Sequence, residues 1–202
     1  MIVAIVRLRK TTVVDEVIQA LIAAGISHAE VTLPTPGSLE LIKRWSKSDR
    51  ISIGAGTVRS VADASAAAEA GARFFVTPTI DKGVLDIALN RGIKAYPGAL
   101  TPTEIETAYR HPATAGVKVF PVGTVGGPNY VKAIKDPLPD IPLVPTGGVD
   151  VAATQTYAQL GCLGVGVGSA LVSEEVVVQE RWGDLTIQGK AFVDAWSEGV
   201  DA

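Results

Sequence analysis

The 202-residue sequence predicts an α/β chain folded as a (β/α)8 TIM barrel, one domain over residues 1–202, and three observations carry that prediction. Short β-branched runs alternate with longer Ala-rich segments of helical period from one end to the other, giving eight strand–helix units. Gly25, Gly71 and Gly161 each close a helical segment before a strand, on a period of about 45 residues. Each period holds two units, so it is a quarter of a barrel rather than a blade of a propeller. The competing open, doubly wound sheet calls for a dinucleotide fingerprint, and "GAGTV" (54–58) lacks the full motif.

The units follow in order. "IVAIV" (2–6) is the first strand, and in "TVVDEVIQALIAAG" Val13, Val17, Leu21 and Ile22 share one helical face. "HAEVTL" (28–33) precedes the helix of "PGSLELIKRWSK", and "ISIGAG" (51–56) precedes that of "SVADASAAAEAG". "RFFVT" (73–77) leads to "DKGVLDIALNRG", and "IKAYPG" (93–98) to "TPTEIETAYR". "GVKVF" (116–120), "PLVPTGG" (142–148) and "CLGVGVG" (162–168) supply the last three strands, each followed by a helix. Thr, Ser or Asp at the helix starts and Gly25, Gly71 and Gly92 at helix ends are capping signatures.

Composition narrows the partners. A net charge of −3 gives no basic surface for nucleic acid or an anionic membrane. Cys162 is the only cysteine, which excludes an internal disulfide and fits a reducing compartment. The opening "MIVAIVRLRK" puts its charges after its apolar run, the wrong order for a secretion signal, and no apolar stretch is long enough to span a bilayer. A cytoplasmic protein is expected.

In such barrels chemistry sits at the C-terminal strand ends. Those ends carry Arg7, Glu30 with Thr32, Thr57, Thr77 with Pro78, Pro97, Lys118, Thr146 with Gly147 and Gly148, and Gly168 with Ser169. Only Glu30 and Lys118 are plausible proton-transfer or nucleophilic groups, and both lie on even-numbered strands, which feed the same lumen layers. Period two turns Lys118 inward and sends Val117 and Val119 out against helices. On this pattern alone two readings stand. The pair is a structural ion pair in the core of a non-catalytic sugar-phosphate-binding barrel. Alternatively, burial lowers the lysine pKa, the free amine attacks a carbonyl, and the carboxylate shuttles protons, as a Schiff-base aldolase requires. "PTGGVD" (145–150) and "GVGSAL" (166–171) are Gly-rich turns opening helices after strands 7 and 8, where barrels bind phosphate. His28 and His111 have no acids at metal-ligand spacing; His28 is expected low in the barrel and His111 in a loop.

With these residues in place, "AEVTLPT", "GAGTV", "FFVTPTI", "YPGALTPTE", "VKVFPV…GGPNYVKAIKDPLPDIPLVPTGGV" and "GVGSAL" resemble the 2-keto-3-deoxy-6-phosphogluconate (KDPG)/4-hydroxy-2-oxoglutarate aldolase family, collinearly over nearly the whole chain. The resemblance implies a (β/α)8 barrel, a homotrimer, and no metal or other cofactor. It implies that Lys118 is the Schiff-base lysine and Glu30 the general acid/base. Thr57 would bind the pyruvyl carboxylate, Phe120 would pack beside the imine, and Arg7 and Pro78 would contact substrate. Gly147, Gly148, Gly168 and Ser169 would hold the phosphate. The implied reaction cleaves a phosphorylated 2-keto-3-deoxy sugar acid, of gluconate or galactonate type, to pyruvate and glyceraldehyde 3-phosphate. Two departures stand out: Pro34 where gluconate-type members carry Arg, and the loop Gly123–Gly127, where many relatives have a shorter turn.

Overall fold

A computed structural model describes all residues, Met1–Ala202. The first four strand–helix units are β1 (Ile2–Val6), α1 (Asp15–Ala23), β2 (His28–Thr32), α2 (Ser38–Trp45), β3 (Ser52–Gly56), α3 (Val61–Glu69), β4 (Phe74–Val76) and α4 (Lys82–Asn90). The fifth predicted strand is two segments, β5 (Lys94–Tyr96) and β6 (Gly98–Ala99), ahead of α5 (Pro102–Tyr109). Pro97 causes the break, since it has no N–H to give to a ladder. Its carbonyl still accepts from the Lys118 N–H at 2.9 Å. Then come β7 (Val117–Val119), a 3-10 turn at Val122–Val125, α6 (Pro128–Lys135), β8 (Leu143–Pro145), α7 (Val151–Gln159), β9 (Val165–Val167), α8 (Glu174–Val178) and α9 (Trp182–Val200).

All strand pairings are parallel. One six-stranded sheet runs β5-β4-β3-β2-β1-β9 and one three-stranded sheet runs β6-β7-β8. Isolated parallel bridges join Thr146 to Gly166 and Ala95 to Thr114. The parallel sheet is curled, with helices on its convex side. Strand alternation sorts the side chains between the two faces. Ile2, Ala4 and Val6 of β1, Ala29 and Val31 of β2, and Val117 and Val119 of β7 belong to the main apolar core of 48 buried residues under the helices. Their neighbours Val3, Glu30 and Lys118 line the concave side.

Helix ends follow their sequence signals. Ser60, Asp81, Asp150 and Ser173 each accept the N–H three residues on, and Thr101 with Glu104 forms a full capping box, each cap worth about 1 kcal/mol. Gly25, Gly71 and Gly92 all have positive φ where the chain leaves a helix. These short turns start each strand at the same end of the sheet and collect the polar strand termini at the other. No helix is long and apolar enough to cross a membrane.

Candidate active site

Lys118 is the centre of β7, and the β7–β8 and β6–β7 registers pair it with Val144 and Gly98. It is 3% exposed, and its Nζ lies 4.9 Å from the centroid of the Phe120 ring, which walls it from one side. Glu30, in the middle of β2, is 1% exposed, and its Oε1 has no hydrogen-bond partner. The two side chains border one narrow void with Val144 and Thr146. They are not a contact ion pair: the six ion pairs within 4.0 Å all lie elsewhere. Burial pushes the Lys118 ammonium below the usual lysine range, more than the attraction of Glu30 raises it. Burial likewise lifts Glu30 above the usual carboxyl range against the opposing pull of Lys118 and Arg7. Both shifts are toward the uncharged form of each group. Gly56 makes room for that acid: a Cβ there would stand 2.9 Å from Glu30 Cδ and Oε1.

Two larger voids open above Lys118 and share it. One, of about 400 Å³, is bordered by Arg7, Phe120, Gly147, Gly148, Gly168 and Ser169. The other, of about 460 Å³, is bordered by Arg7, Pro34, Thr57, Pro78 and Phe120. The structure thus brings the residues singled out at the strand ends, Thr77 and Pro97 excepted, around the voids that Lys118 borders, from β1, β2, β3, β4, β7, β8 and β9. Thr57 holds φ at 58°, a costly conformation for a β-branched residue. Gly147 has φ 88°, and a Cβ on it would meet the Phe120 ring at 3.2 Å, so the turn after β8 packs directly on the wall of the amine.

The departing loop has a supporting place. Val122 and Gly123 donate to the carbonyls of Thr146 and Gly147 at 2.9 and 2.8 Å, and Gly127 closes the turn by donating to Val122 at 3.0 Å. The loop is therefore a brace for the glycine turn after β8. Three charged residues bordering the voids were not singled out in sequence: Arg9, Arg59 and Glu174. Glu174, at the start of α8, accepts from the backbone N–H groups of Arg9, Lys10 and Thr11 at 3.3, 2.6 and 3.0 Å, tying down the loop after β1. Its contact spans over 160 residues, beyond any local pattern. The histidines stand apart. His28 sits at the opposite end, its ring 6.2 Å from Phe74, and His111 reaches Asp86 at 3.2 Å between α4 and the loop after α5.

Residues 1–187 match the family model described as KDPG and KHG aldolase. The 2-dehydro-3-deoxy-phosphogluconate aldolase of Pseudomonas aeruginosa is 34% identical over 183 residues, covering 89% of this chain and 81% of the relative. The 2-dehydro-3-deoxy-6-phosphogalactonate aldolase of Escherichia coli is 35% identical over 191 residues, covering 90% and 87%. Among solved structures, a native KDPGal structure superposes with a TM-score of 0.88 at 32% identity, over 100% of this chain and 96% of that one. The KDPG aldolase of Legionella pneumophila, solved with pyruvate captured as a covalent carbinolamine, gives 0.82 at 28% identity, over 94% and 93%. Fold and sequence agree over nearly the whole length: this chain belongs to the KDPG and KHG aldolase family.

Proposed function

We propose that the chain is a Schiff-base aldolase that reversibly cleaves a phosphorylated 2-keto-3-deoxy sugar acid to pyruvate and glyceraldehyde 3-phosphate. The observation that carries this reading is a buried lysine and a buried acid that face the same void without neutralising each other. A structural ion pair would place them in contact. The relatives' names give the substrate class, gluconate and galactonate type alike.

The Lys118 amine attacks the C2 carbonyl carbon, and its proton passes to the carbonyl oxygen, giving a carbinolamine. Glu30, as the neutral acid, protonates the departing hydroxyl; water leaves and an iminium forms, with Glu30 now a carboxylate. The carboxylate takes the C4 hydroxyl proton. The C3–C4 bond breaks, its electron pair flowing toward the iminium nitrogen, and the aldehyde leaves behind an enamine. Glu30 returns its proton to C3. Water then adds to C2 with Glu30 taking its proton, and collapse of the second carbinolamine releases pyruvate and the free amine. Phe120 keeps the imine dry, Thr57 holds the carboxylate, and Arg7 and Pro78 line the substrate path. The turns at Gly147, Gly148, Gly168 and Ser169 take the phosphate on backbone N–H groups. Every step uses side chains alone, so no cofactor is called for.

We further infer that the two sheets are parts of one closed eight-stranded barrel and one domain. β5 and β6 read as two halves of a strand interrupted at Pro97, and the Thr146–Gly166 bridge spans from β8 to β9. The assembly is a homotrimer and the compartment the cytoplasm, the latter supported by the buried free thiol of Cys162. The test is cleavage of the two epimeric phospho-sugar acids with pyruvate and triose phosphate both quantified. Equimolar release from at least one, insensitive to chelator, is expected. No pyruvate from either overturns the proposal.

A further inference from the structure

The void on the Thr57 side of Lys118 is bordered by Arg7, Arg9 and Arg59 as well as by Lys118 itself, and no Asp or Glu borders it. None of the three guanidiniums is in an ion pair within 4.0 Å. Arg59 has an acid close in sequence, Asp63, but that carboxylate accepts from the backbone N–H of Arg59 at 3.0 Å. Asp63 in turn donates its own N–H to the Ser60 cap at 3.1 Å. The Arg59 backbone is thus fixed by the start of α3 while its guanidinium stays free. Several unpaired cations around one acid-free concavity build a field that draws an anion in.

The arginines divide between the two voids. Arg7 and Arg9 border both of them, the glycine-turn side included, whereas Arg59 borders only the Thr57 side. A phosphorylated 2-keto acid has two anionic ends. Its carboxylate is bonded to the carbon that Lys118 attacks, so it is held beside the lysine; its phosphate lies at the far end of the chain. With the phosphate on the glycine turns, the carboxylate falls to the side where Thr57 and Arg59 stand. Pro34, on the same wall, has no donor to offer.

We infer that Arg59 is the cation that receives the substrate carboxylate, and that it makes this site select 2-keto acids over uncharged ketones. A guanidinium meets a carboxylate with two parallel N–H donors, a geometry that a lysine cannot reproduce. The inference rests on the aldolase reading of Lys118, and the two are separable by experiment. The probes are pyruvate and its uncharged methyl ester, each reduced onto the protein with borohydride over a concentration series. The chains compared are the parent, Arg59→Met and Arg59→Lys. In Arg59→Met the half-saturating pyruvate concentration rises about tenfold, Arg59→Lys falls between, and the ester series does not move. An unchanged pyruvate series in Arg59→Met overturns the assignment, as does an equal shift for pyruvate and ester. Failure of both probes to label the parent chain overturns the aldolase reading, and the role of Arg59 with it.

Discussion

Replacing Lys118 with Met separates a reactive amine from a structural ion pair by the sign of its effect on stability. Met matches the lysine stem in length and shape but carries no charge. Lys118 is 3% exposed with no carboxylate within 4.0 Å, and Glu30 Oε1 is already without a partner. Burying a polar group without compensation costs about 1–3 kcal/mol, so Lys118→Met should gain about that much. For a chain of this size that raises Tm by about 2–4 °C per kcal/mol. Had the pair been structural, removing one partner would strand the other and cost about 3–5 kcal/mol. Urea denaturation with an unchanged m-value measures the difference. The pH dependence has a definite sign. Above the ordinary lysine value of 10.5 both folded and unfolded chains hold a neutral amine, and the parent bears no charge penalty. As pH falls through 10.5 the unfolded chain takes up a proton that the folded chain, with its lowered pKa, does not. The parent therefore loses stability on acidification, and the advantage of Lys118→Met widens from pH 10.5 downward. A variant less stable than the parent at pH 7 refutes the argument.

Other substitutions probe the same geometry. Glu30→Gln should lower kcat by about 10²- to 10⁴-fold. Because burial raises the Glu30 carboxyl pKa, the parent loses stability as pH rises above the ordinary value of 4.5 and the non-titrating amide does not, so Tm at pH 7 should rise rather than fall. Steady-state kinetics and a thermal melt check both. Gly56→Ala forces a Cβ to 2.9 Å from the Glu30 carboxyl. It should cost about 1–3 kcal/mol and lower kcat by displacing the acid, with KM little changed. Glu174→Ala frees the backbone N–H groups of Arg9, Lys10 and Thr11, so hydrogen exchange at those three amides should speed up while the amides of β1 stay protected.

The fold was legible wherever period and punctuation agreed. β1 occupies 2–6 as its apolar run predicts, and glycines 25, 71 and 92 close their helices with positive φ. Later strands are shorter than their apolar runs because the ends bend into the site. After β8 only an isolated bridge at Thr146 remains before Gly147, at φ 88°, turns the chain away, and the fifth strand breaks at Pro97. Lys118 and Glu30 were legible because a charged residue inside a strand of small apolar neighbours is anomalous by itself. Arg59 and Glu174 were not, since an exposed arginine or a helix-start glutamate is ordinary in sequence. Their meaning comes from partners far along the chain, or from the lack of one. The loop at 123–127 was likewise unreadable until Gly123 was seen donating to Gly147.

The central claim is that the Lys118 amine is free and attacks a keto acid. Incubation with pyruvate, reduction with borohydride and peptide mass mapping test it directly. The account predicts one reduced pyruvyl adduct, on the peptide that carries Lys118, and none in Lys118→Met. An unlabelled Lys118, or an adduct confined to an outer lysine such as Lys132, would contradict it.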